Sequence, residues 1–131
     1  MNLSDILSLT SETEIKKLLT EEVYETLTSN DPRIVKNAIE RAGIQIFAIL
    51  KGCGIKTLKE QDKEVVRLAL EKLTLYEIAT HADVELSYEN ERKQATEILK
   101  AYFNCDKEGE RVSAVVKKDE RLGELKTWGT I

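Results

Sequence analysis

The sequence predicts an all-α fold: a small helical bundle of three long helices plus short N-terminal helices, with an extended or β-like C-terminal arm. Three observations lead there. Lys63 to Ala82 is the most apolar long segment, and Val65, Val66, Leu68, Ala69, Leu70, Leu73, Leu75, Tyr76, Ile78 and Ala79 cover more than one helical face. A helix apolar nearly all round is covered on several sides, so this is the expected central helix. Apolar residues also recur at helical spacing between Pro32 and Lys51 and again between Ser87 and Tyr102. Finally, one proline and six glycines in 131 residues argue against a loop-rich or disordered chain.

The length fits one helical domain, residues 1–105, and a C-terminal arm, residues 106–131. It suffices to bury a modest core without a metal or disulfide staple. The balance of 20 basic against 24 acidic residues leaves a net charge of −4. That disfavours nonspecific nucleic-acid binding, which needs a basic surface. The charged fraction of 34% leans towards a heat-tolerant source. The N-terminus, MNLSDILSLTSETE, lacks the basic and apolar regions of a secretory signal. No apolar run approaches the length of a bilayer span. A soluble intracellular protein with its two cysteines, Cys53 and Cys105, reduced is therefore expected.

In order along the chain, Leu3, Ile6, Leu7 and Leu9 suggest a short leading turn or helix. Ser11 and Glu14 match a capping box, and the helix after them carries Ile15, Leu18 and Leu19. Thr20 caps a further turn with Val23, Tyr24 and Leu27 inward, so two short helices or one broken near Thr20 are expected. Asp31 reads as an N-cap and Pro32 as the first helical residue, where its missing amide costs nothing. The first long helix runs from there to Lys51, with Val35, Ala38, Ile39, Ala42, Ile46, Ile49 and Leu50 at helical spacing. Its small residues Ala38, Ala42 and Gly43 invite close approach by another helix. Gly52 and Gly54 end it, with Ile55 covering the last turn. Asp62 is the expected cap of the central helix, which frays near His81-Ala82-Asp83. Ser87 is the expected cap of the third long helix. There Ala95, Ile98, Leu99 and Tyr102 make one apolar stripe, and Asn104 to Gly109 closes it.

Beyond Asp106 the pattern changes. Arg111-Val112-Ser113-Ala114-Val115-Val116 is β-branched with partial period-two alternation, which reads as a strand or extended arm. A lone strand has no ladder partner in an otherwise helical chain. It forms a hairpin with itself, covers its own core, or docks on a neighbour. The candidate partner-binding residues are Val112, Val115, Val116, Leu122, Leu125, Trp128 and Ile131.

The chemistry-bearing residues are sparse. Glu77, His81 and Glu85 are four apart and share a helical face, but one histidine with two acids is weak ligation. His81 reads as a surface histidine near a helix end. A Cys53–His81 catalytic pair is conceivable on paper; a thiol at a helix C-terminus, however, meets the dipole end that disfavours thiolate. Gly52-x-Gly54 lacks the remainder of a phosphate loop and is a helix stop. Acid pairs such as Glu21-Glu22 and Asp119-Glu120 read as solvated charge. We therefore expect no catalytic, cofactor-binding or metal residues, and no enzyme activity.

One resemblance goes further. Asn37-Ala38-Ile39-Glu40-Arg41-Ala42, continuing to Ile46 and Leu50, resembles the first long helix of the Mu-like prophage small virion proteins. These are similar to the head–tail connector (head-completion) proteins of tailed phages. Val66 to Ile78, with Leu75-Tyr76-Glu77-Ile78, looks like that family's second long helix, and Glu91-Arg92, Ala95 and Ile98-Leu99 like the start of its third. The likeness covers roughly residues 5 to 103 and is mostly a pattern of apolar and small positions. In place of the aromatic, proline-containing loop frequent in that family stands Gly52-Cys53-Gly54-Ile55-Lys56. The resemblance implies a helical wedge that forms a ring with its own copies between portal and tail proteins, with DNA only as passing cargo. It would be cytoplasmic during assembly and then part of the virion. The alternative is a small helical regulator binding DNA or a protein partner, with Arg92, Lys93 and Lys100 of the third helix as the candidate basic face.

Overall fold

In the computed structural model, residues 1–105 are described. The expected arm, residues 106–131, lies outside the described residues. Six α-helices and one 3-10 turn succeed one another: α1 (Leu3–Leu7), α2 (Glu12–Lys17), α3 (Glu21–Thr28), α4 (Pro32–Gly52), α5 (Glu60–His81), the 3-10 turn Glu85–Tyr88, and α6 (Glu89–Tyr102). The described part is all-helical, with three long helices and three short ones before them.

α5 is the central helix. It packs against α4 on one side and α6 on another, while α1 to α3 lie across the α4–α5 pair. Side-chain clusters fix the directions. Ala42, Ile46 and Leu50 of α4 meet Val66, Ala69, Leu70 and Leu73 of α5, with Ala95 and Leu99 of α6 in the same cluster. The early α4 residues Val35, Ala38 and Ile39 instead meet Ile78 near the end of α5, together with Ile15, Tyr24 and Leu27. α4 and α6 therefore both run antiparallel to α5. The ends of α4 and α6 and the start of α5 gather at one end of the bundle. At 22 residues, α5 spans about 33 Å.

Local chemistry explains most boundaries. Asp31 caps α4, its Oδ1 accepting the Arg33 amide at 3.0 Å, and Pro32 is the first helical residue. The Arg33 guanidinium also donates to Asp31 and holds that carboxyl below the usual range. Ser11 accepts the Glu14 amide at 3.3 Å, but the reciprocal half of the expected box is absent because Glu14 pairs with Lys17. The complete capping box is at Asn2 and Asp5 instead. Thr20 accepts the Val23 amide and starts α3, so the chain does break near Thr20. Gly43 admits α1: a Cβ there would overlap the Leu7 side chain.

Two expected caps need correction. Asp62 lies inside α5, whose N-cap is Lys59; its Oδ2 accepts the Lys59 amide at 2.8 Å from the third helical position. Ser87 caps nothing, because Glu85–Tyr88 wind into a 3-10 turn that leads directly into α6. The left-handed Asp83, with φ of 62°, supplies the change of direction before it.

The burial of α5 separates two leucines that sequence pattern treats alike. Leu70 is fully buried and Leu68 is 45% exposed. Leu70→Ala is expected to cost about 2–5 kcal/mol, and Leu68→Ala to stay within about 0.5 kcal/mol. Urea unfolding followed by circular dichroism measures both; equal losses would refute this packing of α5.

Candidate functional site

The end of the bundle where the described chain stops is built by two helix terminations of the same kind. At the end of α4, Cys53 is the C-cap and Gly54 turns left-handed, with φ of 80°. The Ile55 amide donates to the Leu50 carbonyl at 3.0 Å and the Gly54 amide to the Lys51 carbonyl at 3.0 Å. This is the Schellman arrangement, with Ile55 folded over the last turn. At the end of α6, Phe103 is the C-cap, Asn104 turns left-handed with φ of 57°, and the Cys105 amide donates to the Lys100 carbonyl at 2.9 Å. Asn tolerates that backbone better than most residues with a side chain.

These two turns bring Cys53 and Cys105 together. Their Cα atoms are 5.2 Å apart and the sulfurs form a disulfide across 52 positions of sequence. The expectation of reduced thiols is thereby corrected. It rested on the absence of a leader, whereas α5 and α6 run out and back and return the chain to its starting end. On a chain-entropy basis, a loop of that length stabilises the fold by about 4 kcal/mol.

Beside the disulfide, Asp62 joins the start of α5 to the end of α6. Its Oδ1 accepts the Tyr102 hydroxyl at 2.9 Å. That bond to a carboxylate, followed by desolvation and the charge of Asp62, pushes the Tyr102 phenol up from its ordinary value. The rings of Tyr102 and Phe103 meet edge to face at 4.8 Å. With Ile55, Lys56 and Lys59 they line an open groove of about 420 Å³.

The candidate partner-binding residues Val112, Val115, Val116, Leu122, Leu125, Trp128 and Ile131 lie outside the described residues. The structure places Cys105, the last described residue before them, covalently fastened to Cys53 at the end of α4.

The other groups weighed from sequence are dispersed. Glu77 is occupied: Arg41 Nε donates to one carboxylate oxygen at 3.0 Å and Gln45 Nε2 to the other at 2.8 Å. His81 is exposed at the far end of α5, on the order of 30 Å from the cysteine end, so Cys53 and His81 are not brought together. On α6, Arg92 is paired with Glu89 at 2.7 Å and lies over the Tyr76 ring. The basic face of the alternative reading is thereby reduced to Lys93 and Lys100.

Glu71 is a structural residue that sequence reasoning passed over. It is buried on α5, where it accepts the Thr10 hydroxyl at 2.9 Å and an Arg67 N–H at 3.2 Å. Its signal was an acid inside the most apolar segment. It anchors the α1–α2 connection to the central helix. Among the described residues no group of three or more His, Cys, Asp and Glu is arranged to hold a metal, and no helix is long and apolar enough to cross a membrane. No protein family, curated protein or solved structure matches the chain.

The Asp62–Tyr102 bond has a pH signature. A folded-state pKa raised above the unfolded value contributes stability that is full below the unfolded pKa, about 10, and is lost as pH rises through the folded pKa. The stability difference between the native chain and Tyr102→Phe is expected to be constant from pH 7 to 9 and to shrink above pH 10. Urea midpoints across that range check it; a gap that does not narrow would refute the bond.

Proposed function

We propose that this chain is a structural head–tail connector of a phage or prophage particle. It assembles with copies of itself into a ring between portal and tail, and DNA passes through as cargo. Its work is assembly, not bond chemistry. It acts in the cytoplasm during assembly and remains in the virion.

The observation that carries the reading is the organisation of one end of the bundle. Among the described residues, the two apolar clusters draw on α1 to α6 and reach Phe103 beside the disulfide. From the disulfide-fastened end there departs a stretch that bears β-branched residues and the only tryptophan. A helical body followed by a stretch of that composition fits a subunit that joins neighbours, because an arm of this kind can add to a partner's surface. The resemblance of Asn37–Leu50, Val66–Ile78 and Glu91–Leu99 to the prophage proteins supports it. The net charge of −4 also suits a conduit, since a surface that held DNA phosphates tightly would obstruct passage.

The test is mass by light scattering across a concentration series, for the full chain and for a chain ending at Cys105. The full chain is expected to self-associate or to bind a portal ring. The shortened chain is expected to keep its helicity and remain monomeric. If both are monomers, the shortened chain unfolds and neither binds a portal, the connector reading fails.

A further inference from the structure

We propose that Cys53 Sγ is a thiol-exchange site, and that a dithiol reductant acting there releases the turn after α6 from the α4–α5 loop. The two cysteines are unequally exposed. Cys53 is half-buried at the end of α4, whereas Cys105 is only 5% exposed. An attacking thiolate therefore reaches Cys53 first, and which sulfur is attacked is set by access.

The step balances. A thiolate of the dithiol bonds to Cys53 Sγ, the Cys53–Cys105 bond breaks, and its electron pair leaves on Cys105 Sγ, which takes a proton. The second thiol of the reductant then attacks the mixed disulfide and releases Cys53, which takes the second proton. Two electrons and two protons pass from the dithiol, which becomes a disulfide. The restored Cys53 thiol sits at the end of α4. Reclosure removes two electrons and two protons and so requires an oxidant, in whose absence the opened state persists.

What opens is local. α6 keeps its other attachments: Leu99 is fully buried, Phe103 packs on the first cluster, and Tyr102 donates to Asp62. α4 keeps Ile46 and Leu50 buried in the first cluster. Only the loop from Cys53 to Lys59 and the turn from Phe103 to Cys105 lose their tie; Gly54 to Thr57, Lys59 and Phe103 of these segments line part of the groove. In the connector reading, on which this consequence alone rests, reduction frees the extension for a neighbour and promotes assembly.

The test uses the oxidised full-length chain and a thioredoxin-type dithiol protein whose resolving cysteine is replaced by serine. The trapped mixed disulfide is expected on the Cys53 peptide. After full reduction by a small-molecule dithiol, amide exchange is expected to accelerate at least tenfold in residues 53–59 and 103–105, with helicity and α5 protection retained. Cys53→Ser combined with Cys105→Ser is expected to reproduce that pattern without reagent. If that variant does not fold, the chemically reduced native chain decides. Trapping on Cys105, no trapping without denaturant, or faster exchange throughout α5 would each overturn the proposal. Oxidised and reduced chains are then compared by light scattering. Local opening with unchanged mass removes the link to assembly and leaves the exchange site standing. Failure to trap Cys53 in a chain that self-associates removes the site and leaves the connector reading.

Discussion

The rest of the bundle depends on α5 being covered from two sides at once. Val66, Leu70, Leu73 and Ile78 are buried. At about 1.5–3 kcal/mol for each large apolar side chain, they supply roughly 6–12 kcal/mol before entropy is counted. Typical net stabilities of about 5–15 kcal/mol show what this one helix means to the fold. Neither α4 nor α6 could cover it alone, because its apolar residues are not confined to one stripe. The short helices α1, α2 and α3 answer the same requirement: they close the parts of the α4–α5 pair that α6 does not reach.

Apolar burial by itself does not say how neighbouring helices should be aligned. On α5 that information is carried by acids. Asp62, Glu71 and Glu77 each engage a different neighbour: Tyr102 on α6, Thr10 before α2, and Arg41 with Gln45 on α4. A buried carboxylate that loses its partner is left unpaired at a cost well above the worth of the bond. A helix that slid along α5 by one turn would strand at least one of them. The buried threonines carry no such message. Thr28 and Thr74 return their hydroxyls to the carbonyls four residues back, at 2.7 Å each, which satisfies them within their own helices.

What was legible in the sequence was local or periodic. The Asp31-Pro32 start, the Gly54-Ile55 stop, the break at Thr20 and the centrality of Lys63–Ala82 each reside in a few adjacent residues or in a repeating apolar pattern. Ser87 misled because a capping side chain is common to helix starts and 3-10 turns. Asp62 was identified as a cap but placed at the boundary, since an acid can satisfy the free amide from the third position as well as from the N-cap. The disulfide and the Asp62–Tyr102 bond were not legible. Both join residues 40 or more positions apart, and their meeting depends on two helices returning the chain to one end. Glu71 looked like an interruption of an apolar segment, and only Thr10, reached over 61 positions, explains it.

The two terminations at that end share a consequence. Because α4 and α6 both finish in a left-handed residue with a chain reversal, neither helix can simply lengthen past its cap. The chain after α4 is turned towards α5, and the chain after α6 is turned towards the α4–α5 loop. The disulfide then converts a meeting of two loops into a fixed junction. While it holds, the position and heading of Cys105 are tied to the end of α4. The Asn104 turn, the Cys105 amide bond to Lys100 and the packing of Phe103 hold the same segment from the α6 side. The disulfide thus serves the body as well as the junction, since closing so long a loop also contributes about 4 kcal/mol to the fold, while the packing of α5 rests on other residues.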